Sequence, residues 1–182
     1  MNQTIRIIGG QYRGKKLNFP DIEGLRPTPD RVRETLFNWL MHYIRDARCL
    51  DAFSGSGALG FEAFSRGASQ ITLVELNNSA FRNLQKIATA FNSSKLNIVH
   101  QDACLYMQQT HAQFDIVFLD PPFSQLYLLD CIKTLEDSSL LVKNGLLYLE
   151  TPEEIILNPA KWQQLKLKKS GQVVYGLYQK QI

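Results

Sequence analysis

Apolar positions along the chain follow two alternating patterns. Short continuous runs, such as FDIVFL at 114–119, alternate with segments in which apolar residues recur every three or four positions, such as NSAFRNLQKIATAF at 78–91. Continuous runs are typical of strands buried on both faces of a parallel sheet, whereas the three-to-four spacing indicates helices packed on such a sheet. Between Arg48 and Glu150 the alternation predicts five βα-type units.

The last part of the chain changes pattern. In WQQLKLKKSGQVVYGLYQK, two runs of alternating polar and apolar residues are joined by Ser170 and Gly171. That arrangement is typical of an antiparallel hairpin. We therefore predict an α/β fold, a doubly wound, mainly parallel Rossmann-like sheet of seven strands that ends in a C-terminal antiparallel hairpin.

The start of the chain precedes this alternation. It combines an extended segment, TIRII, with a glycine-rich turn and a loop, and the RPTPD segment then favours a helix start. Thr28 can cap that helix, Pro29 suits its first position, and apolar residues continue at helical spacing as far as Tyr43. We divide the chain into a basic N-terminal arm, residues 1–29, and a domain, residues 30–182.

Charge is unevenly distributed along the chain. The 182 residues carry a net charge of +3, but residues 1–33 hold seven basic side chains against three acidic ones, which gives +4 there and −1 for the rest. Such a segment suits a polyanion and is equally typical of a solvated surface, so charge alone does not decide. The basic residues are Arg6, Arg13, Lys15, Lys16, Arg26, Arg31 and Arg33.

Composition excludes several classes of protein. Cys49, Cys104 and Cys131 show neither a disulfide framework nor metal-ligand spacing, so we expect reduced thiols and no metal site. The first residues lack the apolar stretch of a secretory signal, and no apolar run approaches the roughly 20 residues of a membrane helix. We expect a cytoplasmic protein with no membrane contact and no obligate protein partner.

A carboxylate follows each of four successive predicted strands: Asp51, Glu75, Asp102 and Asp120. The carboxyl ends of parallel strands meet at one rim of the sheet, where open α/β folds bind their ligands. Aspartate is also a common turn residue, which would explain one or two of these positions but hardly all four. We therefore predict a ligand site at this rim.

The glycine-rich stretch after the first of these strands has two interpretations. Gly55, Gly57 and Gly60 form a G-x-G-x-x-G pattern, and Glu75 lies twenty residues after the first glycine, as in dinucleotide-binding folds. NAD would also require a catalytic acid or base, usually on a second domain, and the chain has no residues left for one. The dinucleotide interpretation is therefore kept only as the weaker alternative.

S-adenosylmethionine fits the same positions better, because it has no phosphate. Asp51 can hydrogen-bond its ammonium group, Glu75 the ribose hydroxyls and Asp102 the adenine amino group. The glycines would allow the backbone to approach the methionine part closely. We predict this cofactor, with S-adenosylhomocysteine as the product and no metal.

The tetrapeptide Asp120-Pro121-Pro122-Phe123 directly follows the buried run FDIVFL. The Asp120 carboxylate and the Pro121 carbonyl can accept the two N–H bonds of an exocyclic amino group, which aims the nitrogen lone pair at a methyl group and stabilises the developing positive charge. Phe123 offers a face on which an extruded base can stack. An ordinary turn after a strand has the same composition. The position behind the glycine loop, however, favours methylation of an amino group.

With these residues placed, the chain resembles the RsmD family of small-subunit rRNA guanine-N2 methyltransferases. The matching stretches run through nearly the whole chain: RIIGGQYRGKKL, GLRPTPDRVRETLFNWL, LDAFSGSGALGFEAFSRGA, VEL, FDIVFLDPPF and, more loosely, LLYLE. The resemblance implies a class I methyltransferase fold, S-adenosylmethionine as the donor and one guanine of 16S rRNA, free or in a small-subunit particle, as the acceptor. The chain departs from the family pattern at three places: at Ala52-Phe53-Ser54, at Pro29, where threonine is usual, and at Gln101, before Asp102, where glycine is usual.

Together, the residue patterns and the resemblance give the following expected site. The cofactor residues are Arg26, Asp51, Phe53, Ser54, Gly55, Gly57, Gly60, Glu75, Leu76, Asp102, Ala103 and Thr28. The catalytic residues are Asp120, Pro121, Pro122 and Phe123. The RNA-binding residues are Arg6, Arg13, Lys15, Lys16, Arg31 and Arg33.

Two further hypotheses share these residues. The first is an amino-methyltransferase that acts on adenine N6 in DNA or in another RNA, although the sequence offers no separate target-recognition domain. The second is a non-catalytic RNA-binding module that retains a vestigial pocket. Identification of the methylated nucleoside tests the first hypothesis, and a measurement of donor binding tests the second.

Overall fold

The computed structural model describes residues 3–121 and 125–182. The strands in these ranges are β1 (Gln3–Arg6), β2 (Lys16–Phe19), β3 (Arg48–Asp51), β4 (Gln70–Glu75), β5 (Leu96–His100), β6 (Phe114–Leu119), β7 (Leu141–Thr151), β8 (Trp162–Ser170) and β9 (Val173–Lys180). The helices are α1 (Asp30–Trp39), α2 (Ala58–Ser65), α3 (Asn78–Phe91), α4 (Ala103–Gln109) and α5 (Gln125–Asp137). None of these five helices has the length and apolar character needed to cross a membrane.

Seven strands form one sheet in the order β5-β4-β3-β6-β7-β9-β8, and β1 pairs with β2 in a separate hairpin. Strands β3 to β7 are mutually parallel, and β9 runs antiparallel to both of its neighbours. The predicted doubly wound sheet with a C-terminal antiparallel hairpin is therefore confirmed. The strand order reverses between β3 and β6, which opens a crevice at their carboxyl ends.

The sheet has an apolar core on each face. Helices α1, α2 and α3 pack on one face, and α4 and α5 pack on the other. In β6, Ile116 and Phe118 contribute to the first core, whereas Val117 and Leu119 contribute to the second. This strand is buried on both sides, as its continuous apolar run predicts.

The β1–β2 hairpin packs on the same face as α1 and α2. Its apolar side chains, Ile5, Ile7, Leu17 and Phe19, are buried in the first core. The fully buried Glu62 of α2 holds the following turn, because its carboxylate accepts N–H bonds from Ile8 and Gly9 at 2.8 and 2.9 Å. The arm is thereby fixed to the body of the protein by packing and by a buried carboxylate.

The start and end of α1 differ from the prediction. Pro29 occupies the N-cap position and no side chain caps the helix, so the expectation that Thr28 caps it is wrong. The Thr28 side chain is buried, and its hydroxyl donates to Glu150 instead. The helix ends at Trp39, and Tyr43, predicted on its apolar face, is 50% exposed.

Candidate active site

The predicted strand-end carboxylates meet at the crevice between β3 and β6. Asp51 is the last residue of β3 and lies in register with Leu73 of β4 and Phe118 of β6. Glu75 ends β4, and Asp120 follows the last residue of β6. The sheet therefore brings these three carboxylates, one from each of three neighbouring strands, to one rim.

Glu75 closes the glycine loop onto the sheet. One of its carboxylate oxygens accepts the N–H of Gly55 at 2.7 Å and the other accepts the N–H of Asn77 at 2.7 Å. The loop itself turns through a bond of 2.6 Å from the N–H of Gly57 to the carbonyl of Ser54. The backbone of the loop is thus held against the carboxylate that the sequence assigns to a ribose.

Glycine is favoured for different physical reasons at the three glycine positions of the loop. At Gly55, where φ is +49°, a Cβ would contact only the Leu25 side chain among the described residues, at an ordinary 3.6 Å, so the backbone conformation and not packing favours glycine there. At Gly57, where φ is +80°, it would lie 2.4 Å from the Phe61 ring, and at Gly60 it would lie 2.7 Å from Leu73. Packing within the protein therefore requires the second and third glycines, and their contact with a cofactor stays a prediction.

Asp51 is buried, with 3% of its surface exposed, and one carboxylate oxygen accepts the N–H of Gly60 at 2.9 Å. Burial raises the pKa of Asp51 to about 7; the Gly60 bond lowers this pKa and the charge of Glu75 raises it. Among the described residues, no basic side chain forms an ion pair with this carboxylate. A ligand ammonium group would stabilise its ionised form.

Asp102 follows β5 and is the N-cap of α4. Its carboxylate accepts the N–H of Leu105 at 2.9 Å and the hydroxyl of Tyr127, from α5, at 2.6 Å. Burial raises the pKa of Tyr127, which keeps its hydroxyl protonated and donating. The Tyr127 ring also packs edge-on against Phe53 at 5.9 Å between centroids. No sequence signal indicates this role, because Tyr127 has the place of an ordinary apolar residue in its helix.

A fifth carboxylate, absent from the sequence prediction, lies beside Asp120. Glu150 is at the end of β7, and Leu149 just before it pairs with Leu119 of β6. One oxygen of Glu150 accepts the hydroxyls of Tyr148 at 3.0 Å and of Thr28 at 3.3 Å. The strand-end rule that selected the other carboxylates applies to Glu150 as well.

Burial is the first cause of a raised pKa in both carboxyl groups of this pair. The pKa of Asp120 lies well above its usual value because of burial and then because of the charges of Glu150 and Asp51, while a hydrogen bond with Thr28 acts in the opposite direction. The pKa of Glu150 is raised by burial and lowered by its bonds from Tyr148 and Thr28.

The remaining predicted site residues differ in exposure. Leu76, just after Glu75, is 54% exposed and Arg26 is exposed, whereas Ser54 is buried and donates its hydroxyl to the carbonyl of Asp51 at 2.8 Å. Pro121 is half-buried, and Ala103 is buried as the first residue of α4. Pro122 and Phe123 lie outside the described residues.

Five of the six predicted RNA-binding side chains are exposed: Arg6, Arg13, Lys15, Lys16 and Arg31. The sixth, Arg33, is only 1% exposed, so its assignment to RNA is wrong. Its guanidinium pairs with Asp30, lies 3.5 Å from the Glu62 carboxylate and donates to the carbonyls of Thr28 and Arg6. A buried arginine needs such partners, and together they use its donors inside the protein.

The basic turn of the arm, residues 9–16, lies away from the rim. The N–H of Gln11 bonds the carbonyl of Ser65, the last residue of α2, at 2.7 Å, and Lys15 Nζ lies 4.2 Å from the ring centre of Phe91, the last residue of α3. Both helices begin at the rim, and the 14 residues of α3 span about 21 Å. The structure thus places this turn at the far ends of α2 and α3 from the rim, about 12 Å along α2 and about 21 Å along α3.

The carboxylates of the rim fit the hydrogen-bond donors of S-adenosylmethionine. An ammonium group, a ribose diol and an adenine amino group would match Asp51, Glu75 and Asp102, and the exposed Leu76 would match an adenine face. No cluster of three metal-binding side chains occurs within residues 3–121 and 125–182. The hydrogen-bond acceptors at the rim suit an organic cation that carries several N–H and O–H groups.

Known proteins are similar in sequence to this chain over almost its whole length. A family model described as conserved hypothetical protein 95 matches residues 5–179. Ribosomal RNA small subunit methyltransferase D of Escherichia coli K12 is 47% identical over 179 residues, which cover 97% of this chain and 90% of the relative. The protein of the same name from Haemophilus influenzae is 44% identical over 180 residues, which cover 96% and 93% of the two chains.

Solved structures share its fold. Escherichia coli yhhF superposes with a TM-score of 0.91 at 43% sequence identity, and the match covers 98% of this chain and 99% of that one. A coverage this complete places the arm, the parallel sheet and the C-terminal hairpin in one shared architecture.

Proposed function

The chain belongs to the RsmD family, whose model is described as conserved hypothetical protein 95, and on that premise we propose that it methylates the exocyclic N2 amine of a guanine in 16S rRNA. It is an S-adenosylmethionine-dependent rRNA methyltransferase. The observation that carries the proposal is the position of Asp120 at the switch between β3 and β6, beside Asp51. A base amine held there would lie next to the groups suited to the donor.

On the donor side, the residues hold and orient. Asp51 would take the ammonium group, Glu75 the ribose hydroxyls and Asp102 the adenine amino group, while Leu76 packs on the ring. At Gly55, a side chain would meet only Leu25 among the described residues, at 3.6 Å, so this position leaves room for the ligand beside the loop. When bound, S-adenosylmethionine supplies an electrophilic methyl group on a sulfonium centre.

On the acceptor side, Asp120 and the Pro121 carbonyl accept the two N–H bonds of the amine. These bonds draw the nitrogen lone pair out of conjugation with the ring and stabilise the positive charge that develops on nitrogen. Alignment of the amine with the methyl group supplies the rest of the acceleration. Phe123 stacks on the base in this proposal.

The arm, residues 1–29, supplies most of the RNA contacts, and residues 30–182 form the methyltransferase domain. Arg6, Arg13, Lys15, Lys16 and Arg31 are exposed and suited to phosphates. The position of the basic turn at the far ends of α2 and α3 from the rim favours a large folded RNA or a small-subunit particle over a short oligonucleotide. Such a substrate places the enzyme in the cytoplasm.

Mass-spectrometric mapping of 16S rRNA tests the proposal. RNA from cells that lack the protein should lack one N2-methylguanosine, and purified protein with S-adenosylmethionine should restore it on isolated particles. The matched control is the Asp120→Ala protein, which should restore nothing. An unchanged set of modifications, or a new N6-methyladenosine, would contradict the proposal.

A further inference from the structure

The topology of the sheet brings the carboxyl groups of Asp120 and Glu150 next to each other. They follow Leu119 and Leu149, which pair in register on the neighbouring parallel strands β6 and β7. Adjacent strands lie about 4.8 Å apart, and the residues that follow a register pair emerge on the same face. The two side chains therefore meet above the first core, where Thr28 lies between them.

Thr28 gives the pair a common hydrogen-bond partner. Its hydroxyl donates to Glu150 at 3.3 Å and lies close enough to the Asp120 carboxyl group to lower the pKa of that group. A hydroxyl has a single proton, so it cannot donate to both carboxylates at once. Glu150 has a second donor, Tyr148, and is the better satisfied anion of the two.

Within the described residues, no basic side chain forms an ion pair with Asp120 or Glu150. Asp51 faces it from β3, the hydroxyl of Tyr148 faces it from β7, and Tyr175 of β9 lies beyond Tyr148. Arg33 donates to the main-chain oxygen of Thr28, but its charge is paired with Asp30 and Glu62. Two carboxylates this close in a buried place cannot both ionise easily, so they hold a proton between them.

We propose that Glu150, anchored by Tyr148 and Thr28, is a positioning residue that makes Asp120 the proton acceptor for the methylated amine. The proposal rests on the proposed function and adds a role for a residue that the sequence motif does not contain. Two carboxyl groups in unequal environments are a recurrent way to set one of them as a base near neutral pH.

Methyl transfer leaves one proton to be removed. The amine lone pair forms the new N–C bond, the electrons of the broken S–C bond return to sulfur, and the nitrogen is left with one proton too many. In the molecules in which Asp120 is ionised, its carboxylate takes that proton and later releases it to water. The anion of Glu150 makes Asp120 a stronger base, because a neighbouring negative charge favours its protonated form.

The test is the pH dependence of methyl transfer under single-turnover conditions. The rate should rise with pH as Asp120 ionises, and Glu150→Gln should move the midpoint of that rise down by about one unit, because the raising charge is gone. Glu150→Asp keeps the charge and should restore the midpoint toward the wild-type value. Glu153→Gln removes an exposed charge nearby and is the matched control, with no shift expected.

Carboxyl ¹³C titration by NMR supplies a readout that is independent of turnover. Asp120 and Glu150 should titrate in two coupled steps in the wild type, and Asp120 should titrate at lower pH in the Glu150→Gln protein. Independent single-step titrations in the wild type would overturn the inference even if every Glu150 variant failed to fold.

The two proposals fail in different ways. A wild-type protein that methylates no rRNA overturns the proposed function, and the role of Glu150 with it. A wild-type protein that is active, with an acid limb unmoved by Glu150→Gln, overturns the role of Glu150 alone.

Discussion

On the β3–β4 side of the rim, Asp51 and Glu75 accept main-chain N–H groups, whereas Glu150 on the β6–β7 side accepts hydroxyls. Gly60 donates to Asp51, and Gly55 and Asn77 donate to Glu75. Glu150 receives the hydroxyls of Thr28 and Tyr148 instead. Both sides are acidic, but the donors that surround their carboxylates have different properties.

The two kinds of hydrogen-bond donor suit two different functions of the carboxylates that they contact. A main-chain N–H can only donate, and its direction is fixed by the fold, so it favours the ionised form of a carboxylate and fixes its orientation. A hydroxyl can rotate and can also accept, so it tolerates a change in the protonation of its partner. In our proposal, the first side holds a ligand still and the second lets a proton move.

The largest expected effect comes from Asp120. Asp120→Ala should lower the rate of methyl transfer to 16S rRNA by at least about a thousandfold, because it removes the group that stabilises the charged amine. Calorimetric donor affinity should stay within a few-fold, since the donor side is intact.

Glu75→Gln should show the opposite pattern: donor affinity falls by about tenfold or more, and saturating donor restores most of the turnover.

Equal losses of donor affinity in both variants would contradict this division of the rim. Undiminished turnover by the Asp120→Ala protein would remove the mechanism on the acceptor side.

The strand-end carboxylates show how far the sequence could predict the site. Apolar runs define where each strand ends, so these runs alone were enough to place Asp51, Glu75 and Asp120 on one rim. Glu150 ends the run GLLYLE and obeys the same rule, so it was within reach of the same reasoning. The sheet and its C-terminal hairpin follow from periodicity for the same reason.

What could not be predicted depends on contacts between distant segments. Thr28 has a strong local preference for a helix cap, but its hydroxyl bonds Glu150 across the core. Arg33 lies within a basic segment, and only the fold shows that Glu62 faces it. Tyr127 continues the apolar face of its helix, and periodicity does not show that its hydroxyl reaches Asp102.

A smaller effect should come from charges that lie outside both halves of the rim. Replacing Arg13 and Lys15 by glutamine should flatten the dependence of log affinity for 16S rRNA on log salt by about 1.5, because each lost phosphate contact removes about 0.7–0.9 from the slope. Filter binding at several salt concentrations measures it. Donor affinity and the acid limb of the rate should not change.

The matched control replaces Lys133 and Lys143, both exposed on α5 and β7, and alters net charge equally. An identical slope in the arm variant and the wild type would remove the basic turn from the RNA surface.

The smallest effect, and the most specific to the donor side, is a proton released when the donor binds. The pKa of Asp51 is about 7 in the free protein, so at pH 7 about half of the molecules carry a proton there. A ligand ammonium group favours the ionised carboxylate, so binding should release about half a proton at pH 7, and donor affinity should weaken as pH falls below 7. Calorimetry in buffers of different ionisation enthalpy measures this number, and Asp51→Asn subtracts any proton that the ligand itself contributes. Equal release by the wild-type and Asp51→Asn proteins would place the ammonium group away from Asp51, and the division of the rim would then rest on Glu75 and Asp102 alone.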